Sequence, residues 1–448
     1  MFHQTKSVFN MIFYRCFVLI LVFLSSTLSV AQARHFKVGF AKRDITPERP
    51  TPMWGYGERH AALSTGVHDP LFAKAIVIDT GTEKLAIVGL DLGRAPTDDM
   101  MRRIREAIKA ESGVGMVMIS GSHTHHGPVI ELLDQPGKGQ GSFDAAVTYT
   151  RELEANLIAV IDAAAADARD AKMGSSAKPV AMNRNRHSKL EPKPVDSELG
   201  LIRFDDLAGQ PIALVVNYAA HATMQPANDL RFSADWPGQM MMAVEEQLKT
   251  NCVFMQGAAG DMSPMPPAGT RGIEAFGKAM SEHVSALFAT TETTVPERPR
   301  LEHKEEILEF KTRMPMGNPL TTLLFSNAFF PELASASMTD DLMHDLIHPR
   351  LTAILINREL ALVGGSGEFF CQHAVRLKER SRAAETFFFG YCNGHHMYFP
   401  TIEAAAEGGY GADPAVSWVE LGAGEQMMDH ALIHIYSMLG KFNLKLPF

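Results

Sequence analysis

One recurring unit constrains this chain more than any other feature: a short unbroken apolar run, a polar loop, then a stretch with helical spacing. Phe72–Asp79 and Lys84–Asp91 read as neighbouring strands joined by a Gly-Thr-Glu turn. Further apolar runs are Met116–Ser120, Ile212–Tyr218, Cys252–Gln256, Glu359–Val363 and Thr386–Tyr391. Helical spacing marks Asp98–Ala110, Thr150–Arg169, Trp236–Lys249, Ile273–Ala289, Cys371–Ala384 and Glu425–Leu439. Unbroken apolar runs alternating with helices predict an α/β fold with mixed, largely parallel sheets flanked by helices. The site is then expected in loops at the C-terminal ends of the strands.

The first 33 residues read as an address, not as fold. Lys6 and Arg15 precede the apolar run Cys16–Leu24, and Ala31-Gln32-Ala33 ends the segment. Basic n-region, h-region and small-x-small cleavage site together predict a signal peptide and export, secreted or periplasmic. An uncleaved anchor is the competing reading, but the run is short for a bilayer span. Cleavage after Ala33 removes two basic and no acidic residues, so the net charge moves from −9 to −11. An acidic mature chain argues against nucleic acid as a partner. Cys252, Cys371 and Cys392 remain. That odd number is no disulfide framework, and without a Cys-x-x-Cys pair a thiolate zinc site is disfavoured. Residues 34–448 are expected to form a single catalytic domain, with 291–360, where periodicity is weakest, as a variable excursion.

The chemistry-bearing residues follow directly on the apolar runs. Met116–Ser120 leads into Ser122-His123-Thr124-His125-His126-Gly127-Pro128, and Ile212–Tyr218 leads into Ala219-Ala220-His221. Cys252–Gln256 leads into Gly257-Ala258-Ala259-Gly260-Asp261-Met262-Ser263. Glu359–Val363 leads into Gly364-Gly365-Ser366-Gly367-Glu368, and Thr386–Tyr391 into His395-His396-Met397-Tyr398. Neutral imidazole is the commonest biological metal ligand, so three histidines within four residues suggest a metal site. A hydrogen-bonded loop group without metal is the plainer alternative. His123 and His125 alternate, so on an extended segment they face the same way. Ser263 follows small residues that let a ligand approach the backbone, and could be a nucleophile or an oxyanion donor. A Ser-Pro turn is the plain reading of the same residues.

Taken in order, these segments resemble the neutral/alkaline ceramidase family of zinc amidases, from about Val38 to Pro414. The resemblance runs through Val38–Pro47, Met53-Trp54-Gly55-Tyr56, Gly66–Leu71, the His-Thr-His loop, Asn183-Arg184, Ser233-Ala234-Asp235, Gln256–Pro264, Gly367-Glu368 and Glu407-Gly408-Gly409-Tyr410. It implies one Zn²⁺ per chain on His123, His221, Glu368 and Tyr398. It implies catalytic roles for Ser263 and His125, and substrate contacts from Arg184 and Tyr410. A lipid-like amide substrate follows, with transient contact to a membrane surface and no obligate protein partner. The chain departs from the family at His126, where ceramidases usually carry Ser, and at the looser Gly-Gly-Ser-Gly before Glu368. The 38 residues after Tyr410 read as one helix and a tail, so the family's C-terminal immunoglobulin-like domain is not expected. Three readings compete: a zinc esterase or amidase on a non-sphingolipid substrate, a two-metal hydrolase of the metallo-β-lactamase type, and a secreted binding protein with a relic site. The residues after the His-x-His pair, His126-Gly127-Pro128, do not supply the Asp and His that the two-metal type adds there. Met314–Met343, with Leu323, Leu324, Phe325, Phe329, Phe330 and Leu333, is expected to form an apolar rim for lipid entry.

Overall fold

Two sheets packed face to face, with helices on both outer faces, carry the chain. The computed structural model describes residues 35–442, so the predicted signal peptide over 1–33 lies outside the described residues. The described residues from Phe36 onward form one unit. Among them, no helix is long and apolar enough to cross a membrane.

The first sheet has eight strands: β1 (Lys37–Asp44), β2 (Phe72–Asp79), β3 (Lys84–Leu90), β4 (Met116–Gly121), β5 (Arg169–Pro179), β6 (Glu198–Asp206), β7 (Pro211–Tyr218) and β8 (Asn251–Gln256). Their spatial order is β8-β7-β6-β5-β1-β2-β3-β4. The second sheet has the order β9 (Leu301–Ile307), β10 (Arg350–Ile356), β11 (Leu360–Gly365), β12 (Glu385–Phe389). The mixed α/β class and flanking helices agree with expectation, but the pairing is largely antiparallel. Only β3–β4, β7–β8 and β11–β12 pair in parallel within these sheets. The apolar runs reflect burial on both faces, which strand direction does not alone determine. Ile76, Ile87, Met118, Val215 and Val253 of the first sheet meet Ile354, Leu362, Phe387 and Phe389 of the second in one core.

The outer faces are covered by helices. Ile104 and Ile108 of α1 (Asp98–Glu111) and Leu153 and Leu157 of α2 (Asp144–Ala166) pack on Ala75, Val88 and Ile119. Trp236 and Val244 of α3 (Asp235–Leu248) and Phe276 and Val284 of α4 (Gly272–Thr290) pack on Leu201, Leu214 and Phe254. Ala374 and Leu377 in the helix Cys371–Arg380, and Met427 and Ile435 in Ala423–Met438, cover the second sheet.

The segment 291–360 is more than an excursion, since it supplies β9 and β10. Between them lie three short helices, Pro319–Ala328, Pro331–Ser337 and Asp340–Met343. The expected apolar rim divides. Leu320, Leu323 and Leu324 are exposed, whereas Phe325 and Phe330 are buried in separate apolar clusters bridged by Phe329. Cys252, Cys371 and Cys392 are free and buried.

Candidate metal centre

Five long strands that feed the centre all belong to the three parallel pairs. β4 ends at Gly121 and delivers His123; β7 ends at Tyr218 and delivers His221; β8 ends at Gln256 and leads to Gly260 and Ser263. β11 ends at Gly365 before Glu368, and β12 ends at Phe389 before Tyr391, His395 and Tyr398. Parallel neighbours release their chains at the same edge, so loops distant in sequence converge there. Glu368 and Tyr398 are then set side by side by their own short parallel ladder, Glu368–Phe369 with Tyr398–Phe399.

Backbone strain gathers at this edge. His123 (φ 64°), Tyr391 (53°), Asn393 (59°) and Met397 (60°) all hold positive φ without being glycine. Such residues cost about 1–3 kcal/mol each and persist only where the surroundings over-determine them. His123 and His125 therefore do not converge by strand alternation, as the sequence suggested. Instead Thr124 bridges to Ala222 as in a parallel sheet, and His125 N–H donates to Ala222 O at 3.3 Å.

Three buried ring nitrogens meet. His123 Nε2 lies 3.1 Å from His221 Nε2 and 3.3 Å from His125 Nε2. Glu368 Oε2 lies 3.3 Å from His123 Nε2 and 3.5 Å from His221 Nε2. The far nitrogens fix the tautomers. His123 Nδ1 sits 2.9 Å from Gly93 O, and His221 Nδ1 sits 2.6 Å from Ala259 O. A carbonyl only accepts, so each Nδ1 carries the proton and each Nε2 presents a lone pair. Glu368 Oε2 is buried and finds no hydrogen-bond donor among the described residues. Of these acceptors only His221 Nε2 receives a protein donor among the described residues, Arg186 Nη2 at 2.9 Å, and a cation among the three would satisfy His123 Nε2 and Glu368 Oε2 as well. This donor set of two imidazoles and a carboxylate fits zinc.

Arg186 approaches the same point. Its Nη2 donates to His221 Nε2 at 2.9 Å, to Gly260 O at 2.9 Å and to Tyr398 OH at 3.3 Å. Arg184, the arginine expected from the sequence, is exposed and lies opposite Ser263 in a short ladder. Arg186 takes the inward place because the strand ends at Asn185, after which Arg186 N–H donates to Asp261 O at 2.8 Å. Ser263 is half-buried next to Met262, whose carbonyl accepts from His221 N–H at 3.0 Å. Tyr410 is 67% exposed, with its ring edge-on to Tyr398 at 5.7 Å between centroids.

Burial sets the protonation pattern. It lowers His125 well below the ordinary histidine value, with His123 and His221 adding to the effect. Burial, then the Arg186 charge, brings His221 down to about 3. Tyr398 moves well above its ordinary value, first through burial and then through Glu368.

Two residues that sequence reasoning left without a role complete the surroundings. His395 Nε2 is 3.3 Å from Glu368 Oε1, the oxygen facing away from His123. Trp54 stands edge-on to His123, His125 and His395. A cavity of about 760 Å³ opens beside the centre, lined by Trp54, His125, Glu368, His395, Tyr398 and Tyr410. Phe325, Phe329, Phe330, Leu333 and Leu342, all from the 314–343 stretch, line it too.

The description of the neutral/alkaline non-lysosomal ceramidase N-terminal region matches residues 36–272. The chain is 29% identical over 251 residues to neutral ceramidase of Oryza sativa subsp. japonica, covering 50% of this chain and 32% of that protein. It is 28% identical over 219 residues to neutral ceramidase 3 of Arabidopsis thaliana, covering 44% and 29%. The chain thus matches about a third of the length of these relatives. The crystal structure of neutral ceramidase from Pseudomonas aeruginosa shares the fold, with a TM-score of 0.71 at 18% identity, covering 91% of this chain and 75% of that one. With more than half of its length matched by that family description, the chain belongs to the neutral/alkaline non-lysosomal ceramidase family.

Proposed function

We propose that this protein is an exported zinc-dependent amidohydrolase that cleaves the N-acyl bond of a ceramide-like or other lipid-like amide. One observation carries the reading: the buried atoms His123 Nε2, His221 Nε2 and Glu368 Oε2 converge at 3.1–3.5 Å, at the edge of a cavity with phenylalanines in its lining. His123, His221 and Glu368 would hold the metal, with Tyr398 as the fourth ligand. Zinc bound there supplies Lewis acidity towards a carbonyl oxygen and acidifies a bound water.

The chain's own groups do the rest. Burial keeps His125 unprotonated, and its Nδ1 is buried without a partner among the described residues. It can therefore take the proton of the attacking group and return it to the leaving amine. Arg186, fixed by Gly260 O and by Tyr398 OH, presents a permanent positive charge to developing negative charge. Tyr410 can donate a hydrogen bond from the cavity mouth. Ser263 acts on the reacting carbonyl, by direct attack or by orienting it. Trp54 and the phenylalanines exclude water from the acyl side.

The test is metal content together with turnover. Purified mature protein should hold about one zinc per chain, and His123→Ala and His221→Ala should each lose metal and fatty-acid release together. The assay panel should include N-acyl and O-acyl lipids, which separates an amidase from an esterase. A protein that works metal-free, or binds lipids without ever turning one over, ends the reading. Sequencing the N-terminus of the exported form tests cleavage after Ala33.

A further inference from the structure

Where α1 meets the edge of the second sheet, two arginines share a single carboxylate. Arg105 comes from α1, Arg350 opens β10, and Glu305 of β9 lies opposite Thr352 of β10. Arg105 Nη1 donates to Glu305 Oε1 at 2.5 Å, and Arg350 Nη1 donates to the same oxygen at 2.6 Å. Glu305 Oε2 accepts from the Thr352 hydroxyl at 3.1 Å. Burial raises the Glu305 carboxyl, but Arg105 and then Arg350 more than offset it and leave it below the usual range. None of these four residues lines the cavity beside the metal centre.

The cluster is out of balance in charge and in hydrogen bonds. A guanidinium is always charged, and among the described residues no carboxylate other than Glu305 pairs with either arginine. Two positive charges therefore meet one negative charge. Arg105 Nε, Arg105 Nη2 and Arg350 Nε are buried and make no hydrogen bond among the described residues. Buried donors without acceptors are costly. Nε–H and Nη2–H of one guanidinium point along a common edge, the fork that takes two oxygens of an oxyanion. A neutral hydroxyl would fill one donor and leave the charge, and an ammonium would be repelled. A singly charged oxyanion supplies both the missing charge and the missing acceptors. Among the described residues each guanidinium is tied through Nη1 alone. The side chains of Arg105 and Arg350 are 27% and 16% exposed, so a swing about those single bonds turns the covered N–H groups towards solvent.

We propose that Arg105 and Arg350 form a binding site for a small singly charged oxyanion. Two of its oxygens take the Nε–Nη2 edge of Arg105, and Arg350 Nε is the third donor. The site lies outside the cavity and does not depend on which bond the metal centre cleaves. An anion held there braces α1 against β9 and β10, so binding raises the stability of the fold.

Thermal unfolding of the full mature chain tests the site, with the sodium salt of a probe replacing sodium chloride at constant ionic strength. The probes are acetate, a carboxylate, and dimethyl phosphate, a phosphodiester. Tm should rise saturably with at least one of them, with an apparent Kd on the order of 1 mM. Saturation by either establishes the site, and the tighter probe gives the class of the ligand. Arg105→Lys keeps a charge beside Glu305 but loses the fork. It should weaken binding about tenfold while Tm in chloride stays near the wild-type value. Glu305→Gln keeps the shape and removes the competing carboxylate, so it should tighten binding about tenfold. A purely structural ion pair predicts no change of anion affinity in either variant. His221→Ala, which removes a proposed metal ligand, should bind the probe as the wild type does. Loss of binding there places the anion on the metal and overturns the site. A Tm that responds alike to chloride and both probes overturns it too, as does unchanged affinity in both Arg105→Lys and Glu305→Gln.

Discussion

Gly55→Ala should disable the centre without touching a proposed metal ligand. Gly55 holds φ +104°, and a Cβ built there would lie 2.4 Å from His125 Cγ and 2.8 Å from His125 Cα. Opening the first contact to an ordinary 3.4 Å takes a shift of 1.0 Å, and the imidazole sits in a full site. Trp54 and Tyr56 stand edge-on to it at 5.6 and 4.7 Å between centroids, and Arg59 holds its carbonyl oxygen. The backbone strain of a side chain at that φ is about 1–3 kcal/mol, and the overpacking adds about 1–3 kcal/mol. A proton-transfer group misplaced by about 1 Å loses on the order of 10²-fold in rate. The variant should therefore stay folded with a lowered urea midpoint, hold zinc like the wild type, and lose about two orders of magnitude in kcat. Metal analysis, an unfolding curve and a turnover assay on one preparation are enough. Wild-type kcat in the folded variant would show that His125 does not act where it stands. Loss of zinc in parallel with kcat would show that His125 is a ligand and not the proton carrier.

If Ser263 acts on the carbonyl as proposed, Ser263→Ala should keep its metal and lose most turnover; an unaltered rate would make Ser263 a turn residue. Phe330→Ser should destabilise by about 3–5 kcal/mol, the scale for emptying a buried phenylalanine site, since Phe330 is 4% exposed. Phe329→Ser should instead weaken long-chain substrates more than short-chain ones, and equal losses across chain length would remove it from the acyl path. Asp91 is buried, which raises its carboxyl to about 7 despite Lys74. The folded state therefore holds that proton more tightly than the unfolded chain, whose value is about 3.9. Its stabilising contribution is complete below about pH 4 and fades as pH rises to about 7, at up to about 1.4 kcal/mol per unit. Asp91→Asn should gain on the wild type in urea midpoint between pH 5 and 7; a constant offset would refute the shift.

The strands were legible where both faces are buried, and their direction was not. Phe72–Asp79 appears with the predicted bounds because hydrophobic periodicity reports burial. Pairing is decided by which strand lies alongside, and an antiparallel strand inside a two-sheet sandwich looks like a parallel one in sequence. Leu301–Ile307 escaped notice for the opposite reason. It is an edge strand with the charged sequence Glu302-His303-Lys304-Glu305-Glu306, the composition that protects an open edge. Without an apolar run there, its partner Arg350–Ile356 was absorbed into the same loose segment.

The site was legible in its loops and ambiguous wherever the sequence repeats itself. His123, His221 and Glu368 each follow an apolar run directly, so a strand end points to each of them. Asn183-Arg184-Asn185-Arg186 gives no such direction, because the dipeptide occurs twice. Even strand periodicity would send both arginines to the same face. The asparagines decide between them. Asn183 Nδ2 donates to Asp196 O and Ala219 O, and Asn185 Nδ2 donates to Asp261 Oδ2. Those buried bonds pin the strand with Arg184 outward as far as Asn185. Asp261 O then takes the Arg186 N–H and ends the extended run, so the next side chain is free to turn inward. Asp261 also receives Cys371 N–H at 2.7 Å at the start of the helix that follows Glu368. One buried carboxylate thus ties the segment bearing Arg186 to the segment bearing Glu368. The arginine that faces the metal centre is selected by contacts from residues 75 and 185 positions further along the chain, which no local reading of the Asn-Arg repeat contains.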